Sequence, residues 1–458
     1  MRLFGTNGIR EVVGTTLTAP FVTRVASAIA AITPVGPPIA VGSDGRTSSP
    51  AFARIVSGAL ALGGHDVAEL GVLPTPAIQY NVHRLGAQLA VIVTASHNPP
   101  EFNGLKCIAA DGLEVTRATE EAIEQATAEG RTAVAPYDRI GEIGARPDGA
   151  RAYVDGILKQ VDVPRLRARR FSVALDCGNG ASIPTSPSLL RRLGCRVVSL
   201  NGHLDGTFPG HLSEPTMENI VDLRRMVPTV GADLGIAHDG DADRAVFVDA
   251  TGRFVPGEEI LTLLAQDAVQ RRPGGVVVTP VTASQSVEDA VTAAGGSVVY
   301  TKVGSPTVTH EIQARHAVFG GEENGGLIFP DFQLARDGAM TAAAVLDLLA
   351  RRGVGLADAL VGLPKYTLLK EKAPCPVGQR DAVLARLAET IGRGSDRVVT
   401  LDGVKAYRDG GWVLVRPSGT EPLFRIFAES KDPKRARALA DVGLEAVRAA
   451  VRETAGAA

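Results

Sequence analysis

Long apolar runs are missing from this chain. No stretch of its 458 residues stays apolar over the length of a membrane span. The opening MRLFGTNGIREVVG has neither the apolar region nor the cleavage site of a secretory signal. A cytoplasmic protein without a membrane partner is expected. Cysteine is scarce: Cys107, Cys177, Cys195 and Cys375 stand far apart and form no C-x-x-C pair. That argues against a disulfide frame or a zinc site and predicts reduced, mostly buried thiols. Excess charge is missing too. Lys and Arg number 48 against 50 Asp and Glu, a net charge of -2, so nothing in bulk electrostatics favours nucleic acid or an anionic surface. No G-x-G-x-x-G, G-K-[ST] or G-x-S-x-G motif occurs where the chemistry-bearing stretches lie, and no segment is of low complexity.

What is present is an ordinary globular balance, 45% apolar and 21% charged. At about 100–150 residues per domain, roughly three or four domains are expected. One pattern occurs three times: PIAVGSD, PAFARIVSGALALGG, HDVAELG; then FSVALDCGNG, SIPTSPSLLRRLG, CRVVSLN; then GVVVTPV, SQSVEDAVTAAGG, SVVYTKVG. Each is an apolar strand, a polar or glycine turn, a helix ending in glycine (Gly63, Gly194, Gly295) and a second apolar strand. Aliphatic strands alternating with amphipathic helices predict parallel sheets covered on both faces. The tail differs. TLLKEKAPC, DRVVTLDG, VKAYRDG, GWVLVRPSG and LFRIFAES read as short strands with hairpin-like joins, an antiparallel α+β domain. The expected division is 1–150, 151–250 and 251–363 for three related α/β domains, and 364–458 for the α+β domain.

Four stretches carry chemistry. In LGIAHDGDADRAVFVD, Asp239, Asp241 and Asp243 alternate in a short turn between apolar strands, able to aim three carboxylates at one hard cation. An EF-hand would need Gly and Glu where Arg244 and Ala250 stand, and a haloacid-dehalogenase-type phosphatase would need Thr where Asp243 stands. A solvated acidic turn is the bland alternative. In VIVTASHNPPEFNGLK, Ser96 follows a buried strand, where ligands of open α/β sheets bind, and His97, Asn98 and a stiff Pro99-Pro100 turn follow. Alone, this fits a capping turn as well as a nucleophile. Lys106 just beyond is a proton shuttle, a phosphate partner or a surface lysine. In FGGEENGGLIFPD, Glu322, Glu323 and Asn324 between glycine pairs offer donors and acceptors to sugar hydroxyls, or form a plain glycine-rich hairpin. In VRPSGTEP, Arg416, Ser418, Gly419 and Thr420 form a phosphate cradle or an ordinary turn.

Together, TASHNP, DGDADR, GEENGG and RPSGTEP, in that order and with FGTNGIR and VGSDGRTSSP before them, resemble the α-D-phosphohexomutase family over nearly the whole chain. The resemblance implies three related α/β domains with mixed, mostly parallel sheets plus a C-terminal α+β domain, around a central cleft. It implies an isomerase that interconverts hexose 1-phosphate and hexose 6-phosphate. Ser96 would be the phosphoserine. Asp239, Asp241 and Asp243, together with Ser96 itself, would hold one Mg²⁺ against the phosphate. Arg10, His97, Lys106 and Arg244 would line the reaction centre, with Lys106 the acid–base candidate. Glu322 and Asn324 would bind sugar hydroxyls; Arg416, Ser418, Gly419 and Thr420 would clamp the non-reacting phosphate; Lys302 in TKVGS would also touch ligand. A hexose 1,6-bisphosphate would be the intermediate and activator, and a small phosphosugar the only partner implied. Asn7, Glu11, Asn324 and Gly326 depart from common forms of the motifs, which bears on hexose choice. The short start at LFGTNGIR leans toward phosphoglucosamine mutases, with dual glucose and mannose phosphate use as the alternative. A metal-dependent sugar phosphatase or a non-catalytic phosphosugar-binding protein is a more distant reading.

Overall fold

Each of the three sequence repeats folds as a parallel strand pair joined by a helix. The computed structural model describes residues 3–5, 7–418 and 421–456. In chain order the strands are β1 (Ile9–Val12), β2 (Ile39–Ser43), β3 (Val67–Val72), β4 (Leu89–Val93), β5 (Phe102–Ala109) and β6 (Ile143–Ala145). Next come β7 (Ser172–Asp176), β8 (Arg196–Leu200), β9 (Leu234–His238), β10 (Ala245–Asp249) and β11 (Phe254–Val255). Then β12 (Val276–Pro280), β13 (Ser297–Thr301), β14 (Phe319–Gly321), β15 (Leu327–Phe329) and β16 (Gln333–Arg336) follow. The tail holds β17 (Thr367–Pro374), β18 (Arg397–Val399), β19 (Val404–Arg408), β20 (Gly411–Pro417) and β21 (Leu423–Ser430). The repeats are the parallel pairs β2–β3, β7–β8 and β12–β13, with helices Ser49–Leu62, Ser186–Arg192 and Gln285–Ala293 between them.

The chain divides into two units, Met1–Ile260 with Asn324–Val361, and Leu261–Glu323 with Gly362–Ala458. In the first, one sheet runs β1-β5-β4-β2-β3-β6 and another β11-β10-β9-β7-β8. Both are mixed: β2 pairs parallel with β3 and β4, and β7 with β8 and β9, whereas β5 and β10 run antiparallel to their neighbours. The strands buried on both faces are near-continuous aliphatic runs, as a covered parallel sheet requires. β15 and β16 pair antiparallel in the same unit and lead into the helix Gly338–Arg352. That helix is buried along most of its length, and Asp337 caps it by accepting from Met340 N–H.

In the second unit β12 pairs parallel with β13 and β14. The tail is a fully antiparallel sheet, β17-β21-β20-β19-β18, with helices Arg380–Gly392 and Pro433–Gly456, as its alternating pattern predicts. A cluster including Val383, Leu387, Val413, Ile426 and Leu439 forms its core. A smaller cluster, Val281 with Trp412, Leu414 and Phe427, joins the two segments of this unit. Beside it the buried Lys405 donates from Nζ to Val281 O at 2.8 Å, with Nζ 3.8 Å from the Trp412 ring centroid.

All four cysteines are free and buried. Burial raises the thiols of Cys107 and Cys177, each pushed up to about 12. One helix end differs from the expectation. Gly194 and Gly295 take the left-handed conformation, with φ 89° and 86°. Gly63 keeps φ -77°, and the left-handed residue there is Gly64, φ 91°. At Gly63-Gly64 the second glycine makes the turn, whereas at Gly295-Gly296 the first does.

Candidate active site

β4 is a buried run, LAVIV, lying parallel to β2. The chain leaves the sheet after Val93, and Ser96 follows, fully buried with φ 53°. A left-handed backbone costs a non-glycine residue about 1 kcal/mol or more, so other bonds must hold it. Ser96 N–H donates to Thr94 Oγ1 at 2.9 Å, and Thr94 Oγ1 donates to Asp44 Oδ2 at 2.7 Å. Arg46 does the rest. Its guanidinium is buried and donates to four carbonyls of the loop: Ser96 at 2.7 Å, Asn98 at 2.6 Å, Pro99 at 2.6 Å and Phe102 at 2.9 Å. Asp44 pairs with Arg46 Nε at 3.1 Å and also accepts from Ser49 Oγ at 2.6 Å. The S-H-N-P turn is therefore a framed loop, and its frame lies in VGSDGRTSSP.

The acidic turn spans residues 239–244 between the antiparallel β9 and β10, closed by the pair His238 and Ala245. Asp239, Asp241 and Asp243 are all buried. One ligand oxygen from each lies within 4.8 Å of the others. Ser96 Oγ lies 3.3 Å from Asp239 Oδ2. The approach is close: a Cβ on Gly240 would stand 2.6 Å from Ser96 O, so a side chain there would push the loops apart.

Cations surround the triad. Lys106 Nζ meets Asp241 Oδ2 at 2.9 Å and Asp243 Oδ2 at 3.9 Å. Arg336 Nη2 meets Asp243 Oδ2 at 2.5 Å, and Thr75 Oγ1 donates to Asp241 Oδ2 at 2.7 Å. Arg244 lies 3.8 Å from Asp239 and 3.7 Å from Asp243 through Nε. Burial alone would raise the Asp241 carboxyl; the charge and hydrogen bond of Lys106, helped by Thr75 and Arg10, overcome it and lower it instead. Asp239 moves the other way, raised well above the usual carboxylate range by burial and then by the Asp243 and Asp241 charges. Asp241 Oδ1 and Asp243 Oδ1 are buried and have no hydrogen-bond partner among the described residues. Crowded, buried, partly unpaired carboxylate oxygens suit a hard divalent cation, which the three can hold.

The remaining groups come from sheet register and one irregular segment. Arg10 on β1 faces Gly104 on β5, and Lys106 is two residues further along β5, so both side chains share one face of the sheet. Arg10 Nη1 donates to Asn98 Oδ1 at 3.0 Å. Arg244 donates from Nη2 to His97 Nδ1 at 3.1 Å and from Nη1 to Glu214 Oε1 at 2.8 Å. Since a guanidinium only donates, His97 Nδ1 accepts and the ring proton sits on Nε2, which faces Glu214 Oε2 at 3.7 Å. Burial and the charges of Arg244 and Arg10 push His97 down to about 2. These surroundings favour the neutral imidazole.

Ser96, His97, Lys106, Arg10, the three aspartates and Arg244 are all brought together. Asn324 belongs to the same unit, its Oδ1 accepting from Gly326 N–H at 3.1 Å, and Gly325 O accepts from Ala245 N–H beside Arg244. Glu322, Lys302, Arg416 and Ser418 belong to the other unit. There Glu322 and Ser418 are buried and Lys302 is exposed at the end of β13. Arg416, at the end of β20, pairs with Asp402 at 3.1 Å. Gly419 and Thr420 lie outside the described residues. Sequence reasoning assigned no role to Arg46, Thr75, Glu214, Arg336 or Asp402. Arg46 and Asp402 stood in stretches already noted, VGSDGRTSSP and DRVVTLDG.

A buried serine against a three-carboxylate cage, on mixed α/β sheets with an antiparallel tail, defines an enzyme of phosphoryl chemistry. Four models of the phosphoglucomutase/phosphomannomutase family match in succession: α/β/α domain I over residues 1–133, domain II over 151–252, domain III over 256–366 and the C-terminal domain over 370–446. A phosphoglucomutase/phosphomannomutase of Thermococcus kodakarensis is 38% identical, over 98% of this chain and 99% of its own. A phosphoglucosamine/phosphogalactosamine mutase of Sulfurisphaera tokodaii is also 38% identical, over 94% and 96%. Among solved structures, a phosphoglucomutase/phosphomannomutase family protein of Burkholderia thailandensis superposes with a TM-score of 0.88 at 27% identity, over 98% of this chain and 97% of that one. The chain belongs to this family, the α-D-phosphohexomutases, and is an isomerase. Among the described residues no helix is long and apolar enough to cross a membrane.

Proposed function

We propose that this phosphohexomutase works through a phosphoserine at Ser96 and a hexose 1,6-bisphosphate, with glucosamine phosphate as its leading substrate. The carrying observation is Ser96 Oγ, buried and 3.3 Å from Asp239 within the carboxylate cage. A phosphoryl group on Ser96 passes to the free hydroxyl of a hexose monophosphate: the new P–O bond forms at the sugar, the P–O bond to Ser96 breaks, the hydroxyl gives up its proton and Ser96 Oγ gains one. The sugar then reverses, and the phosphoryl group at its other end returns to Ser96. Asp239, Asp241 and Asp243 would hold Mg²⁺, which when bound offsets the charge of the transferring phosphoryl group. Arg10 and Arg244 supply fixed positive charge to the same oxygens. Lys106 is assigned the proton exchange, Nζ being held beside Asp241 at 2.9 Å. His97, neutral, offers a lone pair and one N–H and orients rather than ionises.

Arg416, Ser418, Gly419 and Thr420 are assigned the non-reacting phosphate, Glu322 and Asn324 the sugar hydroxyls, and Lys302 a further ligand contact. Because the sugar presents either end, these groups must accept both orientations. We read residues 1–150, 151–250, 251–363 and 364–458 as four domains, each bringing one of these loops. Buried reduced thiols support a cytoplasmic setting. The glucosamine preference is supported by relatives named for it, with dual glucose and mannose phosphate use as the alternative.

The test is a comparison of kcat/KM on glucosamine, glucose and mannose 1-phosphates with Mg²⁺, after chelation and after Mg²⁺ is restored, using wild type and Ser96→Ala. One phosphoryl group on intact wild-type chain, mapped to Ser96, and loss of isomerisation in a folded Ser96→Ala are expected. Full isomerase activity in Ser96→Ala would defeat the phosphoserine, and release of inorganic phosphate without isomer would make the enzyme a phosphatase.

A further inference from the structure

Arg416 is not held by the strand that carries it. Its Nε and Nη2 both reach Asp402 Oδ2, at 3.2 and 3.1 Å. The same oxygen accepts the backbone N–H of Val303 at 3.0 Å. One carboxylate oxygen thus ties the strand end bearing Arg416 to the turn bearing Lys302, two segments more than a hundred residues apart within one unit. The side chains of Arg416 and Asp402 are only 16% and 17% exposed, so solvent screens this link weakly.

The turn is shaped for this contact. Gly403 has φ 87°, and a Cβ there would stand 2.3 Å from Val415 O and 2.7 Å from Arg416 Cβ. β19 starts one residue later, with Val404 facing Val415. Only a glycine lets the turn lie directly on the Arg416 backbone with Asp402 at its side. On the other side, Thr307 Oγ1 donates to Lys302 O at 2.8 Å, holding the Lys302 turn against its own helix.

A guanidinium has five N–H donors. Asp402 accepts the Nε proton and pairs with Nη2 at 3.1 Å, leaving Nη1 for a ligand. We propose that Asp402 is a positioning residue for phosphosugar binding: it fixes the Arg416 guanidinium with its free donors presented and locks the Lys302 turn to it, so that the two cations meet a phosphate as one preorganised pair. This rests on the assignment of Arg416 and Lys302 to ligand binding. It predicts an effect on binding, not on the chemical step, because Asp402 touches neither Ser96 nor the aspartate cage among the described contacts.

Steady-state kinetics with the hexose 1-phosphate that wild type uses best tests this, with melting curves as a check on folding. Asp402→Ala is expected to raise KM about tenfold with kcat within about twofold, the scale of freeing one ordered long side chain. Asp402→Asn, which keeps an acceptor oxygen, should return KM to within about threefold of wild type. In an Arg416→Ala, Lys302→Ala background, Asp402→Ala should add less than about twofold, because the groups it orients are gone. If Asp402→Ala does not fold, Asp402→Ser replaces it with the same expectation. Unchanged or lowered KM in the folded variant, while Arg416→Ala raises KM, overturns the positioning role alone. Asn as damaging as Ala overturns it as well. If Arg416→Ala itself leaves KM unchanged, the phosphate clamp falls and the positioning role with it.

Discussion

At the scale of single residues, the Ser96 loop depends on one buried side chain that bonds only protein groups. Arg46 is buried, paired with Asp44, and spent on four loop carbonyls. Removing one partner of a buried charged network leaves the others unsatisfied, at a cost of about 3–5 kcal/mol. Arg46→Ala should lower unfolding free energy by about that amount in denaturant titrations, and Arg46→Lys should recover little, since three rotating donors cannot replace a planar fork. The sequence shows why this was not legible. Ser96 and the aspartates announce themselves because nucleophiles and alternating carboxylates are rare next to buried strands. An arginine is common, and only tertiary structure says where its guanidinium ends. Glu214, Thr75 and Asp402 were silent for the same reason: each matters through a partner distant in the chain, Arg244, Asp241 and Arg416 respectively.

At the scale of elements, the period of the apolar residues settled most of the architecture. The three strand–helix–strand repeats and the alternating tail folded as expected, and the exception at Gly63 came from a doubled glycine, where composition does not say which residue turns. The start of the helix Gly338–Arg352 carries a pH-sensitive cap. Asp337 accepts from Tyr153 OH at 2.5 Å, from Gln333 Nε2 at 2.8 Å and from Met340 N–H at 2.8 Å. Burial outweighs those bonds and pushes its carboxyl up to about 6. A folded-state value above the unfolded one gives stability that is complete below the unfolded pKa, near 3.8, and lost as pH rises through about 6. The stability of wild type relative to Asp337→Asn should therefore fall by about 2 kcal/mol between about pH 4.5 and about pH 7.5. A difference that stays flat with pH would show that Asp337 is ionised throughout.

At the scale of the whole molecule, sequence similarity and packing divide the chain differently. Four family segments follow one another, yet the chain forms two units, each built from two separated stretches. The segment 362–458 has its own core but also covers Val281 with Trp412, Leu414 and Phe427, and Lys405 bonds Val281 O. A chain ending at Val361 would expose that face and lose a buried cation with its aromatic neighbours. It should melt at lower temperature than the full chain and bind a dye for exposed apolar surface, whereas a truly independent tail would leave the melting of the rest unchanged.

The loop around Ser96 has a last implication. Its carbonyls are committed to a guanidinium, and its serine is held in a backbone conformation serine avoids. Such a loop has no slack. If Ser96 gains and sheds a phosphoryl group each cycle, as proposed, that group must be accommodated by whatever moves more easily than the chain: the ion, the sugar and the solvent around them.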